Sequence, residues 1–132
     1  MTTIVAMASG AATGADPLTK VVRGLSAASA DIEAAAVIDG DGAVMASSLP
    51  QATSDAVAAM SSALLGLSER IVDEIGGGGY ECTILRGARG YTVLTRVGFE
   101  VMLVVVTTST AKLGMVLLDV QRAAKDVYRV LS

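Results

Sequence analysis

The hydrophobic and polar positions of this chain follow two repeats, one typical of helices and one typical of strands. Apolar residues recur at helical spacing in three segments: from Asp16 to about Ser29, from Ala52 to Ile75, and from about Thr110 onwards. Shorter runs predict five strands: Ile32–Ile38, Ala43–Ser47, Tyr80–Arg86, Tyr91–Val97 and Phe99–Val106. The order helix, two strands, helix, three strands, helix predicts an α+β sandwich. We expect one antiparallel sheet of five strands with helices on both faces.

Aspartate, glycine and proline mark the ends of these elements. Asp16-Pro17 predicts a helix start, because aspartate caps a helix and proline suits its first turn. Asp39-Gly40-Asp41-Gly42 predicts a tight hairpin turn. A calcium loop is excluded there because the twelfth position is Pro50 and not glutamate. The glycines at 76–79 close a helix and precede a strand, the reverse of a phosphate-binding loop, so they predict a helix cap and a joint.

The long helix Ala52–Ile75 has three faces on a helical wheel, where an ordinary amphipathic helix has two. One face carries large apolar residues and is predicted to pack on the chain's own core: Val57, Met60, Leu64, Leu67, Ile71 and Ile75. A second carries small residues and is predicted to contact another subunit: Ala52, Ala56, Ala59, Ala63 and Gly66. The third is mostly polar and is predicted to bind a third protein through four residues: Leu65, Glu69, Val72 and Asp73.

Composition and charge narrow the function classes. The 132 residues suit one domain, which we place at 16–132 after a flexible lead at 1–15. A net charge of −3 and an aromatic content of 3% disfavour nucleic-acid binding. No apolar run approaches the roughly 20 residues of a membrane-spanning helix, and no lysine or arginine precedes Lys20 to form the charged region of a secretory signal. We therefore expect a cytoplasmic protein that does not insert into membranes.

The sequence predicts no catalytic, metal or cofactor site. Histidine is absent, and Cys82 is the single cysteine, so the commonest general base and a thiolate metal cluster are both excluded. Paired carboxylates occur only in the turn at 39–42 and at Asp73-Glu74, where solvated charges are the ordinary interpretation. No obvious partner is present to activate a serine or threonine. We expect a protein that is not an enzyme.

Three local patterns, in this order, resemble the roadblock/dynein light-chain family. They are the hairpin at 32–47, the helix at 56–65 with its glycine step and strand, and the last strand and helix entry at 98–106 and 111–115. The resemblance implies a roadblock fold, related to profilin and longin folds, and a homodimer paired through the strand after the central helix. It also implies that the chain is a non-enzymatic partner of small Ras-like GTPases, similar to the MglB-like regulators of bacteria and archaea. Such a partner activates the GTPase or serves as its scaffold.

The residues themselves support a dimer. An edge strand at Tyr80–Arg86 leaves backbone groups that a symmetry mate can pair, and the small helix residues allow close approach. The predicted dimer contacts are therefore the five small helix residues and four residues of the strand: Tyr80, Cys82, Thr83 and Ile84. The ordinary interpretation is that the alanines pack on the chain's own sheet. Two other functions stay open: small-molecule sensing, which needs a concave pocket, and an adaptor without a GTPase partner.

Overall fold

The structure is a computed structural model that describes residues 16–132, so the predicted lead at 1–15 lies outside the described residues. The helices are α1 (Asp16–Ala28), α2 (Gln51–Glu74) and α3 (Leu113–Leu131). The strands are β1 (Ile32–Ile38), β2 (Val44–Ser47), β3 (Thr83–Gly87), β4 (Gly90–Val97) and β5 (Val101–Thr107). The predicted order of elements is confirmed.

The five strands form one antiparallel sheet in the order β2-β1-β5-β4-β3, so β2 and β3 are its edges. In the turn between β1 and β2, Asp39 Oδ1 accepts hydrogen bonds from the backbone N–H groups of Asp41 and Ala43, at 2.9 and 3.0 Å. Gly42 in that turn has a φ of 82°, a conformation that glycine adopts readily. The predicted hairpin turn is confirmed.

Apolar clusters lie on both faces of the sheet. On one face α1 and α3 pack against the strands through residues such as Val22, Val37, Leu103, Val120 and Val127. On the other face α2 packs through a smaller cluster: Ala36, Ile38, Ala58, Leu65, Leu94, Met102 and Val104. The central strand β5 is buried from 102 to 105 because helices cover it on both sides. The face that α2 covers has one helix, while the opposite face has two.

Two backbone hydrogen bonds close the C-terminal end of α2. The Gly76 N–H donates to the carbonyl oxygen of Asp73 at 3.1 Å, and the Gly77 N–H donates to that of Val72 at 2.9 Å. Gly76 has a φ of 69°, as this type of glycine cap requires. The predicted helix cap is confirmed, and the chain then turns into β3 at the sheet edge.

The rotation of α2 about its axis differs from the prediction. The residues that it buries are Ser54, Ala58, Ser61 and Leu65. Four of the six large apolar residues predicted to enter the core are instead 54–75% exposed: Met60, Leu67, Ile71 and Ile75. For these four residues the prediction is wrong, whereas Val57 and Leu64 are half-buried and pack against the cluster beneath α2. Serines take part of the inward face, because a buried hydroxyl costs little once it is hydrogen-bonded. Ser54 Oγ lies 2.5 Å from Ser47 Oγ and donates to the carbonyl oxygen of Leu49 at 3.3 Å.

Candidate functional site

The outer face of α2 carries two apolar stripes. We call Met60, Leu67, Ile71 and Ile75 the large stripe, and Ala52, Ala56, Ala59, Ala63 and Gly66 the small stripe. All residues of the large stripe and the four alanines of the small stripe are exposed, while Gly66 is half-buried. A surface helix normally turns its polar side to water, and large exposed apolar patches indicate an interaction surface. The outer face of α2 is therefore the first part of the candidate site.

The two stripes face opposite ends of the sheet. Glu69 of α2 pairs with Arg96 near the end of β4, and a Cβ on Gly42 would lie 3.7 Å from the Cα of Ala59. These contacts identify the side of α2 that faces the turns at 39–42 and 98–100. At 3.6 residues per turn, the small stripe lies toward that side and the large stripe toward the β3–β4 hairpin.

The free edge of β3 is the second part of the candidate site. β3 pairs only with β4, so the predicted edge position is confirmed and its outer backbone groups have no strand partner within the described chain. Ile84 and Leu85 are 39% and 44% exposed. Directly opposite residues of paired strands share a face of the sheet. Leu85 pairs with Thr92 and lies on the α2 side, whereas Ile84 pairs with Val93 and lies on the α1–α3 side.

The segment before β3 is anchored to the chain. The Tyr80 hydroxyl lies 2.6 Å from Thr83 Oγ1 and donates to the carbonyl oxygen of Leu94 at 3.3 Å. Thr95 Oγ1 donates to the carbonyl oxygen of Glu81 at 2.9 Å. These bonds hold the start of β3 in place beside β4. The dimer role expected of Tyr80, Thr83 and Ile84 stays a prediction.

Cys82, in the same segment, is half-buried and packs against the α1–α3 core. Burial raises the pKa of the Cys82 thiol above its ordinary value, with a smaller contribution from the charge of Glu81. A raised pKa lowers the thiolate fraction and hence the reactivity of the sulfur. Cys82 thus packs as a small apolar side chain at the margin of the core, and its dimer role stays a prediction.

The patch predicted to bind a third protein is not an exposed surface. Leu65 is 2% exposed and belongs to the core beneath α2, so its predicted role is wrong because the helix turns that face inward. Both carboxylate oxygens of Glu69 accept hydrogen bonds from Arg96, each at 2.7 Å, and this hydrogen bonding lowers the pKa of Glu69. Val72 is half-buried, and only Asp73 is exposed.

The sequence contained a signal for the correct rotation. Ser54, Ala58, Ser61 and Leu65 follow helical spacing of four, three and four, which is the pattern of a buried stripe. The two serines make this stripe hard to recognise, because a helical wheel drawn by hydrophobicity assigns serine to the solvent-exposed face. The large stripe is the exposed surface that the helical wheel assigned to the core.

Among residues 16–132, no cluster of three or more histidine, cysteine, aspartate or glutamate side chains is placed to hold a metal ion. Within the same residues, no helix combines the length and apolar character needed to cross a membrane. The cavities found there are surface grooves with volumes of about 250 to 510 Å³. The groove of about 510 Å³ lies between β2 and the start of α2.

Comparisons with known proteins agree with this architecture. The sequence model of the Roadblock/LC7 domain matches residues 18–107. The uncharacterized proteins MJ1340 and MJ0310 of Methanocaldococcus jannaschii are each 38% identical to the chain over 97 residues, covering 73% of it and 84% of each relative.

Solved structures give the same result. The Roadblock/LC7 domain of Streptomyces avermitilis matches with a TM-score of 0.80 at 20% identity, covering 86% of this chain and 96% of that one. MglB of Myxococcus xanthus matches with a TM-score of 0.79 at 18% identity, covering 93% of both chains. The predicted resemblance and the predicted fold are confirmed.

Proposed function

Because the chain belongs to the Roadblock/LC7 family, we propose that it is a non-enzymatic homodimer that regulates or scaffolds a small Ras-like GTPase. The observation that carries this proposal is the exposed large stripe of α2 beside the free edge of β3. Apolar side chains of this size favour burial, and an edge strand favours pairing. A second copy of the chain satisfies both requirements at once.

In the proposed dimer a twofold axis runs perpendicular to the sheet beside Leu85, the centre of β3. The two copies of β3 pair antiparallel, and the two sheets become one. Leu85 pairs with Thr92 of β4, whereas the β4 residues that contact α2 are Leu94 and Arg96. The axis therefore passes α2 on the side that faces the β3–β4 hairpin, and this is the side that carries the large stripe. We place the large stripe at the contact between the two α2 helices.

The size of the large stripe is consistent with a stable contact. Fully burying a large apolar side chain stabilises by about 1.5–3 kcal/mol, so burying residues that are more than half exposed gives roughly 1–2 kcal/mol each. Four such residues from each chain supply roughly 8–16 kcal/mol. Association costs about 4–15 kcal/mol in lost freedom, so the stripe supplies an amount comparable with that cost. Pairing of the two β3 strands adds to it.

In this dimer the small stripe remains on the outer surface, and we place the GTPase there. Side chains no longer than a methyl group allow a partner's backbone to approach α2 closely. This assignment differs from the expected one, in which the small stripe met the twin subunit. The family resemblance to MglB-like regulators supports a GTPase as the partner.

The test is GTP turnover by a Ras-like GTPase encoded near this protein's gene, measured with and without the protein. Ala56→Arg and Ala63→Arg on the small stripe should abolish both co-elution with the GTPase and any stimulation, and should leave the dimer intact. Met115→Arg is the matched control, since Met115 is 60% exposed on α3. Co-elution without stimulation identifies a scaffold. A GTPase that neither co-elutes nor changes its turnover contradicts the proposal.

A further inference from the structure

A groove at the C-terminal end of α3 combines cationic and aromatic side chains. It has a volume of about 300 Å³, and its walls come from Arg96 and Val97 of β4 and from Ala124, Lys125, Tyr128 and Arg129 of α3. Three of these residues are cationic and none is acidic, in a chain whose net charge is −3.

The cations of the groove have different partners. Arg96 is engaged by Glu69 and donates through Nη1 to the Phe99 carbonyl oxygen at 2.9 Å. Arg129 pairs with Asp126 at 2.9 Å, but Asp126 does not line the groove. Lys125 makes no ion pair within the described residues and is exposed. The rim formed by Lys125 and Arg129 thus presents positive charge to a ligand.

The turn beside this groove displays the only phenylalanine of the chain. Phe99 is 96% exposed, and Tyr128 and Leu131, which line the adjoining groove with it, are 58% and 42% exposed. The hydrogen bond from Arg96 fixes the Phe99 carbonyl, so the ring stands on an anchored backbone. Exposed aromatic side chains on an anchored backbone are well suited to serve as anchors of protein interfaces.

We propose that this groove, together with the adjoining one beside Phe99, binds an acidic segment of a partner protein. The segment also carries an apolar or aromatic side chain. Lys125 and Arg129 receive the carboxylates, and the apolar side chain packs on Phe99, Tyr128 and Leu131. Glu100 borders the Phe99 side, so the acidic residues of the segment belong at the Lys125 end. A concave groove fits a side chain better than it fits a flat membrane surface. Neither the large stripe nor β3 lines this groove, so the proposal is independent of the proposed dimer.

The test is a titration of the ¹⁵N-labelled full chain followed by NMR. The probe is a synthetic peptide of aspartate, glutamate and leucine, and the comparison peptide has lysine in place of both acids. The acidic peptide should shift the amide signals of 97–100 and 124–131, and its affinity should fall as salt is raised, because screening weakens exposed charge pairs.

Matched variants locate the contact. Lys125→Glu should weaken binding about five- to tenfold, as expected when an attraction at the rim becomes a repulsion. Lys112→Glu makes the same change at an exposed lysine beyond the other end of α3 and should leave binding unchanged. Phe99→Ser should weaken binding similarly, and it removes a ring that contributes little to the fold because it stands in water.

Several results would overturn the proposal: equal binding of the lysine peptide, shifts confined to α2 and β3, or an unchanged affinity of Lys125→Glu. Two further titrations, with inorganic phosphate and with vesicles, distinguish a partner segment from other ligands. If inorganic phosphate shifts the same signals as strongly as the peptide does, the groove is a small-anion site. If vesicles of phosphatidylglycerol and phosphatidylcholine bind the protein and the acidic peptide does not, the surface contacts membranes. Either result would show that the ligand of this surface is not an acidic segment of a partner protein.

Discussion

Two leucines on α2 test its rotation directly. Leu65 is 2% exposed and belongs to the cluster beneath the helix, while Leu67 is 54% exposed on the large stripe. Both lie inside the same helix, so the small gain in intrinsic helix propensity on substitution by alanine is the same for both and cancels in the comparison. The difference between Leu65→Ala and Leu67→Ala therefore reports burial alone.

The expected magnitudes differ by several fold. Leu65→Ala should lower the free energy of unfolding by about 3 kcal/mol, since removal of a fully buried leucine loses both its transfer free energy and the packing around it. Leu67→Ala should lower it by less than about 1 kcal/mol in the isolated chain, because half of its surface already faces water. In a dimer built on the large stripe, Leu67→Ala should also weaken association. Its free energy of unfolding should then fall further, by an amount that depends on protein concentration.

The measurement is urea unfolding followed by far-ultraviolet circular dichroism at about 1 and about 100 μM protein, concentrations chosen to separate the chain's own stability from that of the dimer. The reasoning is refuted if Leu65→Ala costs less than Leu67→Ala at both concentrations. That result would return the large stripe to the core, as the helical wheel suggested.

Other contacts make further predictions. Glu69→Gln should lower the free energy of unfolding by about 1 kcal/mol at pH 7, a modest value because the pair with Arg96 is about one-third exposed and screened by solvent. Hydrogen bonding by Arg96 holds the pKa of Glu69 below its ordinary value, so the stabilisation is complete above the unfolded-state pKa and is lost as the pH falls through the folded-state pKa. Urea titrations should show the stabilities of parent and variant converging there, and a constant difference would contradict the ion pair. Gly90→Ala should destabilise by more than about 2 kcal/mol, because its Cβ would lie 2.0 Å from the Thr107 carbonyl oxygen. Gly79→Ala should change stability by less than about 1 kcal/mol, because the added Cβ would have no other atom within 4 Å. Thermal unfolding of the Gly90→Ala and Gly79→Ala variants checks both values.

Most of the fold was predictable from the sequence because its local signals agree. The hairpin turn at 39–42 and the cap at Gly76 need particular backbone conformations, and the residue types there supply them. The apolar run of β5 is typical of a strand covered on both sides, as the structure has it. The position of β3 at an edge followed from the resemblance, which implies a dimer paired through the strand after the central helix.

The rotation of α2 was not predictable from hydrophobicity, because its burial depends on hydrogen bonds that only the folded chain provides. Ser54 is buried because its hydroxyl donates to the Leu49 carbonyl oxygen and shares a hydrogen bond with the Ser47 hydroxyl. Ile71 is exposed because nothing in the described chain lies above it. The exposure of Phe99 likewise became visible only with the turn in place.

The central claim is that the large stripe and the β3 edge join two copies of the chain, and sedimentation equilibrium of an Ile71→Asp variant tests it most directly. The parent and the control Met115→Asp, an equally exposed apolar position on α3, should both show twice the 13.3 kDa of one chain. Ile71→Asp should show the mass of a single chain with an unchanged circular dichroism spectrum. A parent that stays at 13.3 kDa at about 100 μM, or a dimer that survives Ile71→Asp combined with Leu67→Asp, would contradict the claim.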